Sequence, residues 1–392
     1  MPRLPIPLMI AMALTLWSLL AAFTALRLLS RSTLAGRPRT AARACLALLW
    51  LGPPLAMAAG ALRPAWTAWT WAAVWSGYAL MGVIAIVFPY TLARDLLWGL
   101  AWALRLVPAP GPRRTAWFNA TSAAVVVLTL ASAAAGLVGG ALPPRVVTVA
   151  LPVRDLPAPF EGFTIAFFSD LHLGAVTSRR LVRQIVDRVN AAHPDVAVLG
   201  GDIADGTAAA LGAEAAGLAE IRAPSGRFFV TGNHDYFRDP VGWLAEVRRL
   251  GYTTLTNGHV VVRRGAAGVV IAGIPDYLVS VAFGTPSDPA AALRGAPPAA
   301  VRILLSHNPV AAPEAAAAGF DYQLSGHAHG GQFFPWTLVF GNLPWYHTGF
   351  HDAGRMRLYV SAGAGSWGPP MRLGSRKDVT IFRLVRTAPG VR

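Results

Sequence analysis

Two histidines in a glycine-rich stretch, His327 and His329, are well placed for metal chemistry. They follow the run 320–324, whose alternation of apolar and polar residues predicts a buried strand. Residues two apart in a strand or tight turn project to the same side, so both imidazoles can face one ion. Glycine on either side lets the backbone turn sharply and lets an ion or a phosphate approach. A His-x-His pair alone is more often a solvated surface feature, so other residues must support the prediction.

Four earlier motifs supply the same kind of side chain. They are Ser169-Asp170-Leu171-His172, Gly201-Asp202, Gly232-Asn233-His234-Asp235 and Ser306-His307-Asn308. Each follows a predicted strand, and open α/β sheets bind their ligands at the C-terminal ends of strands. None contains cysteine, and a set of Asp, Asn and His suits Mn, Fe or Zn better than a thiolate zinc site would. Taken singly, most of these residues are more simply explained as turn or capping residues. Five such motifs in succession nevertheless favour one shared site.

The elements that must position these motifs lie in the second part of the chain, after a Pro/Gly-rich hinge at 139–144. Strands are predicted at about 146–151, 163–168, 196–199, 228–231, 259–264, 268–274, 301–306, 320–325, 356–361 and 378–386. Helices are predicted from Ser178, over 207–222 and from Asp239-Pro240. Strands that alternate with helices predict an α/β layered domain over residues 146–392.

The order Asp-x-His, Gly-Asp, Gly-Asn-His-Asp, single His and Gly-His-x-His resembles the motifs of calcineurin-like metallophosphoesterases, over residues 146–386. The bacterial membrane-associated branch is the most similar. The resemblance implies a four-layer αββα sandwich and two divalent ions, which we expect to be Mn, Fe or Zn. It implies that Asp170, His172 and His329 hold the first ion, that Asn233, His307 and His327 hold the second, and that Asp202 bridges both.

The same resemblance implies a mechanism, in which a metal-bound hydroxide attacks phosphorus in line. His234 would stabilise the transition state or protonate the leaving oxygen, and Asp235 would orient His234 or another group behind the ligands. The chain departs from the family pattern at 361–365, where it reads Ser-Ala-Gly-Ala-Gly and lacks an arginine that such proteins often have. Arg372 is then a candidate contact for an anionic substrate, or else a solvated surface residue.

Residues 1–145 are predicted to be a membrane-embedded helical domain. Hydrophobic residues make up 54% of the chain and its mean hydropathy is +0.46, which is too apolar for an ordinary soluble protein. Apolar segments at about 6–26, 44–62, 67–92 and 117–141 each approach the roughly 20 residues that cross a bilayer as a helix. A signal peptide is the weaker interpretation of the first segment, because its apolar core is long.

The arginines predict how these spans are oriented. Residues 1–145 contain 12 Arg and one acid, Asp95, so the basic excess belongs to the helical part and does not indicate nucleic-acid binding. Five Arg lie in the loop 27–43 and four lie within 94–114, but the second loop has only Arg63. The positive-inside rule then places the first and third loops in the cytoplasm and the C-terminal domain outside it. The apolar stretch 96–107 is predicted to be an interfacial helix; as a further crossing it would invert this orientation.

These features predict a multi-pass enzyme of the cell membrane that hydrolyses a phosphodiester or a pyrophosphate. Aromatic residues near the last motif, including Trp336, Trp345 and Trp367, predict an apolar lip and a lipid-linked phosphate substrate. One alternative is a UDP-diacylglucosamine hydrolase of lipid A synthesis, which requires the domain to face the cytoplasm. Another is a non-catalytic metal-binding sensor or transport component. That alternative predicts charged residues inside the spans, and the four segments contain no acid, lysine or histidine.

Overall fold

The structure is a computed structural model that describes residues 6–30, 32–61 and 67–387. The chain divides into two compact units. A helical unit extends to Ala141 and includes the later segment Gly368–Leu373, and an α/β unit contains Leu142–Trp367 and the strand that follows Gly374. We propose that these units correspond to the two domains expected from the sequence, with Gly368–Leu373 assigned to the helical one.

In the part of the helical unit that the structure describes, there are four long helices. They are α1 (Ile6–Leu29), α2 (Gly36–Ala61), α3 (Ala68–Ala103) and α4 (Pro112–Ala141). The stretches Gly36–Ala58, Ala68–Ala103 and Pro112–Ala141 are long and apolar enough to cross a bilayer. The corresponding apolar stretch of α1, Leu14–Leu29, is shorter. Three of the four predicted spans therefore lie on helices that are long and apolar enough to cross a bilayer, and the first stays a prediction. Residue 62 and the loop with Arg63 lie outside the described residues.

The third helix, α3, is longer than the predicted span 67–92. It continues without interruption to Ala103, so most of the stretch 96–107 forms its last turns and is not a separate interfacial helix. At 1.5 Å per residue its 36 residues extend about 54 Å. That length exceeds the roughly 30 Å hydrocarbon core of a bilayer, so α3 must tilt or project beyond it.

Arg94 joins three helices at the end of the helical unit that carries the basic loops. Its guanidinium donates to Asp95 Oδ1 (2.7 Å), to Ser122 Oγ (2.7 Å) and to the carbonyl oxygen of Arg27 (2.9 Å). Asp95 also forms an ion pair with Arg27. The end of α1, the last third of α3 and the first half of α4 are thereby held together, as expected if both basic loops lie on one side of a membrane.

The segment Gly368–Leu373 packs among the helices of its unit. Met371 is fully buried, and a Cβ at Gly82 of α3 would lie 2.7 Å from its sulfur. The N–H of Arg372 donates to the carbonyl oxygen of Gly136 (2.8 Å), and Arg372 is only 2% exposed. Arg372 is therefore a buried residue of the helical unit, and neither sequence interpretation, substrate contact or solvated surface arginine, fits this position.

Over the described residues up to 387, the α/β unit contains two six-stranded sheets. In order, the first contains β1 (Arg145–Arg154), β12 (Asp378–Thr387), β2 (Thr164–Phe168), β3 (Val196–Leu199), β4 (Arg227–Phe229) and β5 (Thr253–Thr254). The second contains β10 (Gly349–Ala353), β11 (Met356–Val360), β9 (Tyr322–Ser325), β8 (Arg302–Leu305), β7 (Ala267–Gly273) and β6 (Gly258–Arg264). Strands β2 to β5 are parallel, as are β7, β8, β9 and β11. Their C-terminal ends therefore lie at a common edge of each sheet.

Helices and alternating strand residues complete the sandwich. The helices are α5 (Arg179–Ala191), α6 (Ala208–Ala215), α7 (Asn233–Arg238), α8 (Pro240–Arg249), α9 (Pro289–Ala292), α10 (Ala312–Ala318) and α11 (Trp336–Phe340). Ile165 and Phe167 of β2 share one solvent-free core with Ile303 of β8. On the other face of β8, Leu304 packs with Ala315 of α10. The predicted α/β sandwich fold is confirmed.

Candidate metal centre

The predicted ligands all lie just beyond the C-terminal ends of parallel strands. Asp170 and His172 follow β2, Asp202 follows β3, Asn233 begins the helix after β4, His307 follows β8, and His327 and His329 follow β9. Because parallel strands end at the same edge of a sheet, these loops converge. The two sheets thus contribute ligand residues to one small volume, and the structure brings all seven predicted ligands together.

Asp170, His172 and His329 form the first group of ligand atoms. One nitrogen or oxygen from each lies within 4.8 Å of the others. His172 Nε2 is 3.1 Å from His329 Nε2, and His329 Nε2 is 3.5 Å from Asp170 Oδ1. All three side chains are buried. These are the residues predicted to hold the first ion.

A second group contains Asp202, His307 and His327, again with ligand atoms within 4.8 Å of one another. Asn233 Oδ1 adjoins this group, 2.9 Å from His327 Nδ1. Asp202 Oδ2 lies 3.1 Å from His307 Nε2 and 3.6 Å from His172 Nε2. One carboxylate oxygen is thus close to a histidine from each group, which is the position that a bridging ligand needs.

The environment of His307 shows that a cation fits this site. Its Nδ1 lies 2.8 Å from the carbonyl oxygen of Gly200. A carbonyl oxygen accepts hydrogen bonds and cannot donate them, so Nδ1 carries the proton. Its Nε2 is buried and has no hydrogen-bond partner among the described residues, although Asp202 Oδ2 is 3.1 Å away. Burial lowers the pKa of His307, but the charges of Asp202 and Asp170 raise it well above its ordinary value. Buried nitrogen and oxygen donors that require positive charge between them suit a divalent ion.

Backbone conformation also marks the ligand loops as specialised. Asp170, His172, Asp202, His327 and His329 have φ values of +58°, +47°, +54°, +73° and +51°. Positive φ is uncommon for residues other than glycine, and such strained residues cluster at functional sites. Sharp turns directly after the strands direct five ligand side chains into one space.

Two glycines and a loop of small residues allow the ligand loops to approach each other. A Cβ at Gly326 would lie 2.4 Å from Asp170 Oδ2, and Gly201 has a φ of +92° with no room beside His307. In the stretch that departs from the family pattern, the N–H groups of Ala364 and Gly365 donate to the backbone of Ser169 and Asp170, at 2.8 and 2.9 Å. That stretch therefore supports the Asp170 loop.

Asp205 is a site residue that the sequence analysis missed. Its Oδ1 lies 2.9 Å from His172 Nδ1 and 2.9 Å from His234 Nδ1. Burial raises the pKa of Asp205, but its contacts with the two histidines lower that pKa below its usual range. Because Asp205 holds the proton on His234 Nδ1, Nε2 is the ring nitrogen that remains, on a side chain that is 18% exposed. The signal was the second aspartate in Gly-Asp-Ile-Ala-Asp-Gly, three residues after Asp202.

Asp235 lies behind the site and does not contact His234 by a hydrogen bond in the described structure. Its fully buried carboxylate accepts the N–H groups of Asp202 (3.0 Å), Ile203 (2.9 Å) and Gly232 (2.7 Å). Burial, followed by the negative charge of Asp202, raises the pKa of Asp235 to about 7. Asp235 therefore positions the Asp202 loop, whereas Asp205 contacts His234.

Metal affinity is expected to increase with pH. Burial lowers the pKa of His172, but Asp205, Asp202 and Asp170 raise it to about 9 when no metal is bound. Below pH 9 an ion that binds His172 must displace its proton, so the affinity for that ion should fall by about tenfold for each pH unit between 9 and 7. Calorimetric titration of Mn²⁺ into chelator-treated protein, in buffers with different ionisation enthalpies, measures both affinity and proton release. An affinity that is constant from pH 7 to 9 would contradict this protonation state.

Sequence comparison with known proteins shows which family the chain is related to. Residues 163–331 match the family model described as calcineurin-like phosphoesterase. A transmembrane protein with metallophosphoesterase domain from Danio rerio is 36% identical over 264 residues, which is 65% of this chain and 60% of that protein. The protein of the same name from Bos taurus is 36% identical over 279 residues, 68% of this chain and 63% of that protein. The chain thus spans somewhat less than two thirds of the length of these two relatives.

A bacterial relative is covered almost completely. An uncharacterized metallophosphoesterase from Aquifex aeolicus is 32% identical over 243 residues, which is 61% of this chain and 91% of that protein. The family match of 163–331 also encloses all five motifs that supply the ligand residues. The chain belongs to the calcineurin-like metallophosphoesterase family.

Proposed function

We propose that this protein is a membrane-anchored hydrolase that cleaves a phosphodiester or pyrophosphate bond at a centre of two divalent ions. The position of Asp202, between His172 of one ligand group and His307 of the other, is the main support. Divalent ions held there would polarise the phosphoryl oxygens and supply a nucleophile at neutral pH. The ligands proposed for them are Asp170, His172, Asp202, Asn233, His307, His327 and His329.

We assign proton transfer to the leaving oxygen to His234. Asp205 holds its Nδ1 at 2.9 Å, and its ring packs edge-on against His172 with 4.7 Å between ring centroids. The imidazole therefore has a fixed orientation beside the ligand groups while part of it stays exposed. In its doubly protonated form, a histidine held in this way can donate a proton from Nε2 and keep the proton on Nδ1 that bonds Asp205. Asp205 is a positioning residue in this proposal, because it acts through His234.

Exposed apolar side chains on α7, on the segment 278–283 that packs against it and at Trp367 support a lipid-linked substrate. Phe237, Leu278, Val281, Phe283 and Trp367, which we call the apolar rim, are 48 to 59% exposed. The rings of Phe237 and Trp367 lie 5.4 and 5.7 Å from that of His234. Phe283 packs on Tyr236, at 5.1 Å. Clustered exposed apolar residues are typical of surfaces that bind apolar partners.

This rim is only partly the lip expected from the sequence. Trp367 is exposed at the site, but Trp345 packs against the core of the second sheet, and Phe333 is buried. Trp336, at the beginning of α11, is half-buried. The aromatic residues after His329 therefore mostly serve the core, and residues from 237 and 278–283 form most of the rim.

A short connection also supports a substrate presented at a membrane. The membrane helix α4 ends at Ala141, and β1 begins at Arg145. Only residues 142–144 separate these two elements along the chain, so a membrane that holds α4 would tether the α/β unit as well. Such a tether raises the effective concentration of the unit for lipids without any new contact.

Changing two rim residues is expected to separate lipid from soluble substrates. Leu278 and Val281 are exposed and are not among the proposed ligands or the residues around His234. Leu278→Ser with Val281→Ser should slow cleavage of a phosphodiester lipid in vesicles by about tenfold, through loss of apolar contact area. Hydrolysis of a small aryl phosphodiester should change less than about twofold. The matched control, Leu278→Val with Val281→Ile, should retain both rates; equal losses on both substrates in the serine variant would remove the rim from lipid recognition.

We propose further that the α/β unit lies outside the cytoplasm. The loop 30–35 joins α1 to α2 and the loop 104–111 joins α3 to α4, and the positive-inside rule places both on the cytoplasmic side. This orientation depends on α2, α3 and α4 and is the same whether or not α1 crosses. A reporter fused after Pro144 should be active only outside the cytoplasm, and reporters at Arg39 and Arg113 only inside. A cytoplasmic report at Pro144 would favour the UDP-diacylglucosamine alternative.

A further inference from the structure

Three arginines near the connection between α3 and α4 have no carboxylate partner available in their own unit. They are Arg105, Arg113 and Arg114. Asp95 is the single acid among residues 1–145, and it is already paired with Arg94 and Arg27. Segment 368–373 adds no acid. Positive charge at this end of the helical unit is therefore not neutralised by a carboxylate of the unit and can attract an anion from outside it.

A cavity of about 270 Å³ adjoins these arginines, between α3 and α4. It is lined by Trp98, Pro110, Gly111, Arg114, Thr115 and Phe118. Arg114 is half-buried, in contrast to the exposed Arg113 beside it. The cavity thus combines an apolar, aromatic wall with one cationic group.

Contacts within the helical unit fix this wall. Trp98 Nε1 donates to Thr121 Oγ1 at 3.1 Å, and the rings of Trp98 and Phe118 are 6.3 Å apart in an edge-on arrangement. The guanidinium of Arg94 lies over the ring of Phe118, 5.1 Å from its centroid. Both aromatic side chains are held by partners on neighbouring helices, so the cavity is preformed.

The surroundings of the cavity are those of a membrane interface. Trp102, one turn beyond Trp98, is 72% exposed, and Trp117 of α4 is also exposed. Exposed tryptophans at the ends of apolar helices are typical of the level of the lipid headgroups. Basic pockets between membrane helices, at this level, are suited to anionic headgroups.

We propose that this cavity binds the headgroup of an anionic phospholipid, with the lipid phosphate on the guanidinium of Arg114. The planar guanidinium can donate two parallel hydrogen bonds to phosphate oxygens. Arg105 and Arg113 add attraction for negatively charged lipids without lining the cavity. The apolar wall and the neighbouring membrane helices favour a lipid over free phosphate, because acyl chains can remain in the bilayer. This lipid is a bound partner of the helical unit and is distinct from any substrate at the metal centre.

Native mass spectrometry of the full-length protein, with phosphatidylglycerol or phosphatidylcholine added, tests the proposal. Phosphatidylglycerol should bind with preference, and Arg114→Gln should weaken its binding by about tenfold. Arg113→Gln removes the same charge from the adjacent exposed position and should weaken binding by less than about twofold. Arg114→Lys keeps the charge but loses the paired donors, so an intermediate affinity is expected.

Three results would overturn the proposal. Equal losses in Arg113→Gln and Arg114→Gln would show diffuse attraction by charge alone, and equal binding of both lipids would remove the headgroup preference. Displacement of phosphatidylglycerol by millimolar inorganic phosphate would identify a site for small anions. Hydrolysis of a small aryl phosphodiester should be unchanged in Arg114→Gln, so the outcome does not depend on the function proposed for the metal centre.

Discussion

Replacing Asp202 by alanine is expected to remove bound metal and to lower metal-dependent hydrolysis by about a thousandfold or more. Asp202 Oδ2 lies within 3.1 Å of His307 Nε2 and 3.6 Å of His172 Nε2, so the substitution deletes a charged ligand from both groups at once. It also leaves the buried imidazoles to repel one another when protonated. Metal content by mass spectrometry and turnover of a small aryl phosphodiester are the two measurements.

The matched control is Asp187→Ala, which removes an exposed carboxylate from α5. It should leave metal content and turnover unchanged. If Asp202→Ala retained two ions per chain, or if the control lost as much activity, Asp202 would not be the shared ligand.

Replacing His234 by asparagine is expected to lower turnover by about a hundredfold while metal content stays near that of the native protein. The reason is that His234 contacts Asp205 and faces the exposed side of the site, and it is not among the proposed ligands. The loss should be largest for substrates with poor leaving groups and smallest for activated aryl esters, which depart without a proton. Steady-state rates across a series of leaving groups measure this dependence.

His193→Asn, at an exposed histidine, is the control for this substitution. Asparagine is used in both variants so that the two substitutions match. At His193 the φ of +45° is one that asparagine tolerates better than alanine does. Metal loss in His234→Asn as complete as in Asp202→Ala would make His234 a ligand. A loss of the same size for every leaving group would contradict its role as proton donor.

Strongly patterned strands were predictable from the sequence, and weakly patterned ones were not. The prediction for β3, 196–199, is the same as the observed strand, and β7 differs by one residue at each end. The strands β5 and β10 were not predicted. β5 has only two residues, and β10 carries His351 and Asp352 at an edge of its sheet, where burial imposes no alternation.

The candidate ligand residues could be proposed from the sequence because metal chemistry restricts their type and order, but their supporting contacts could not. Asp205 and Asp235 are both aspartates close to a ligand in sequence. Only the fold shows that Asp205 reaches His172 and His234, whereas Asp235 turns inward to backbone N–H groups. The positive φ of Asp170 likewise depends on how two loops meet.

Exposure was the property hardest to infer from sequence. Aromatic residues near His329 indicated an apolar lip, yet Phe333 is buried and most of the rim comes from Phe237 and the segment 278–283. Those segments approach His234 and Tyr236 through the packing of α7 against the turn at 280–283. Sequence proximity to a ligand therefore did not identify the surface beside it.

Titration of chelator-treated protein with Mn²⁺ tests the shared two-ion centre most directly. Bound metal, the electron paramagnetic resonance spectrum and hydrolysis of a small aryl phosphodiester are followed together. Two ions per chain are expected, with a spectrum of coupled Mn²⁺ pairs and with activity that increases as the second ion binds. Full activity with a single ion, or hydrolysis that survives complete removal of metal, would contradict a centre in which Asp202 joins two ions.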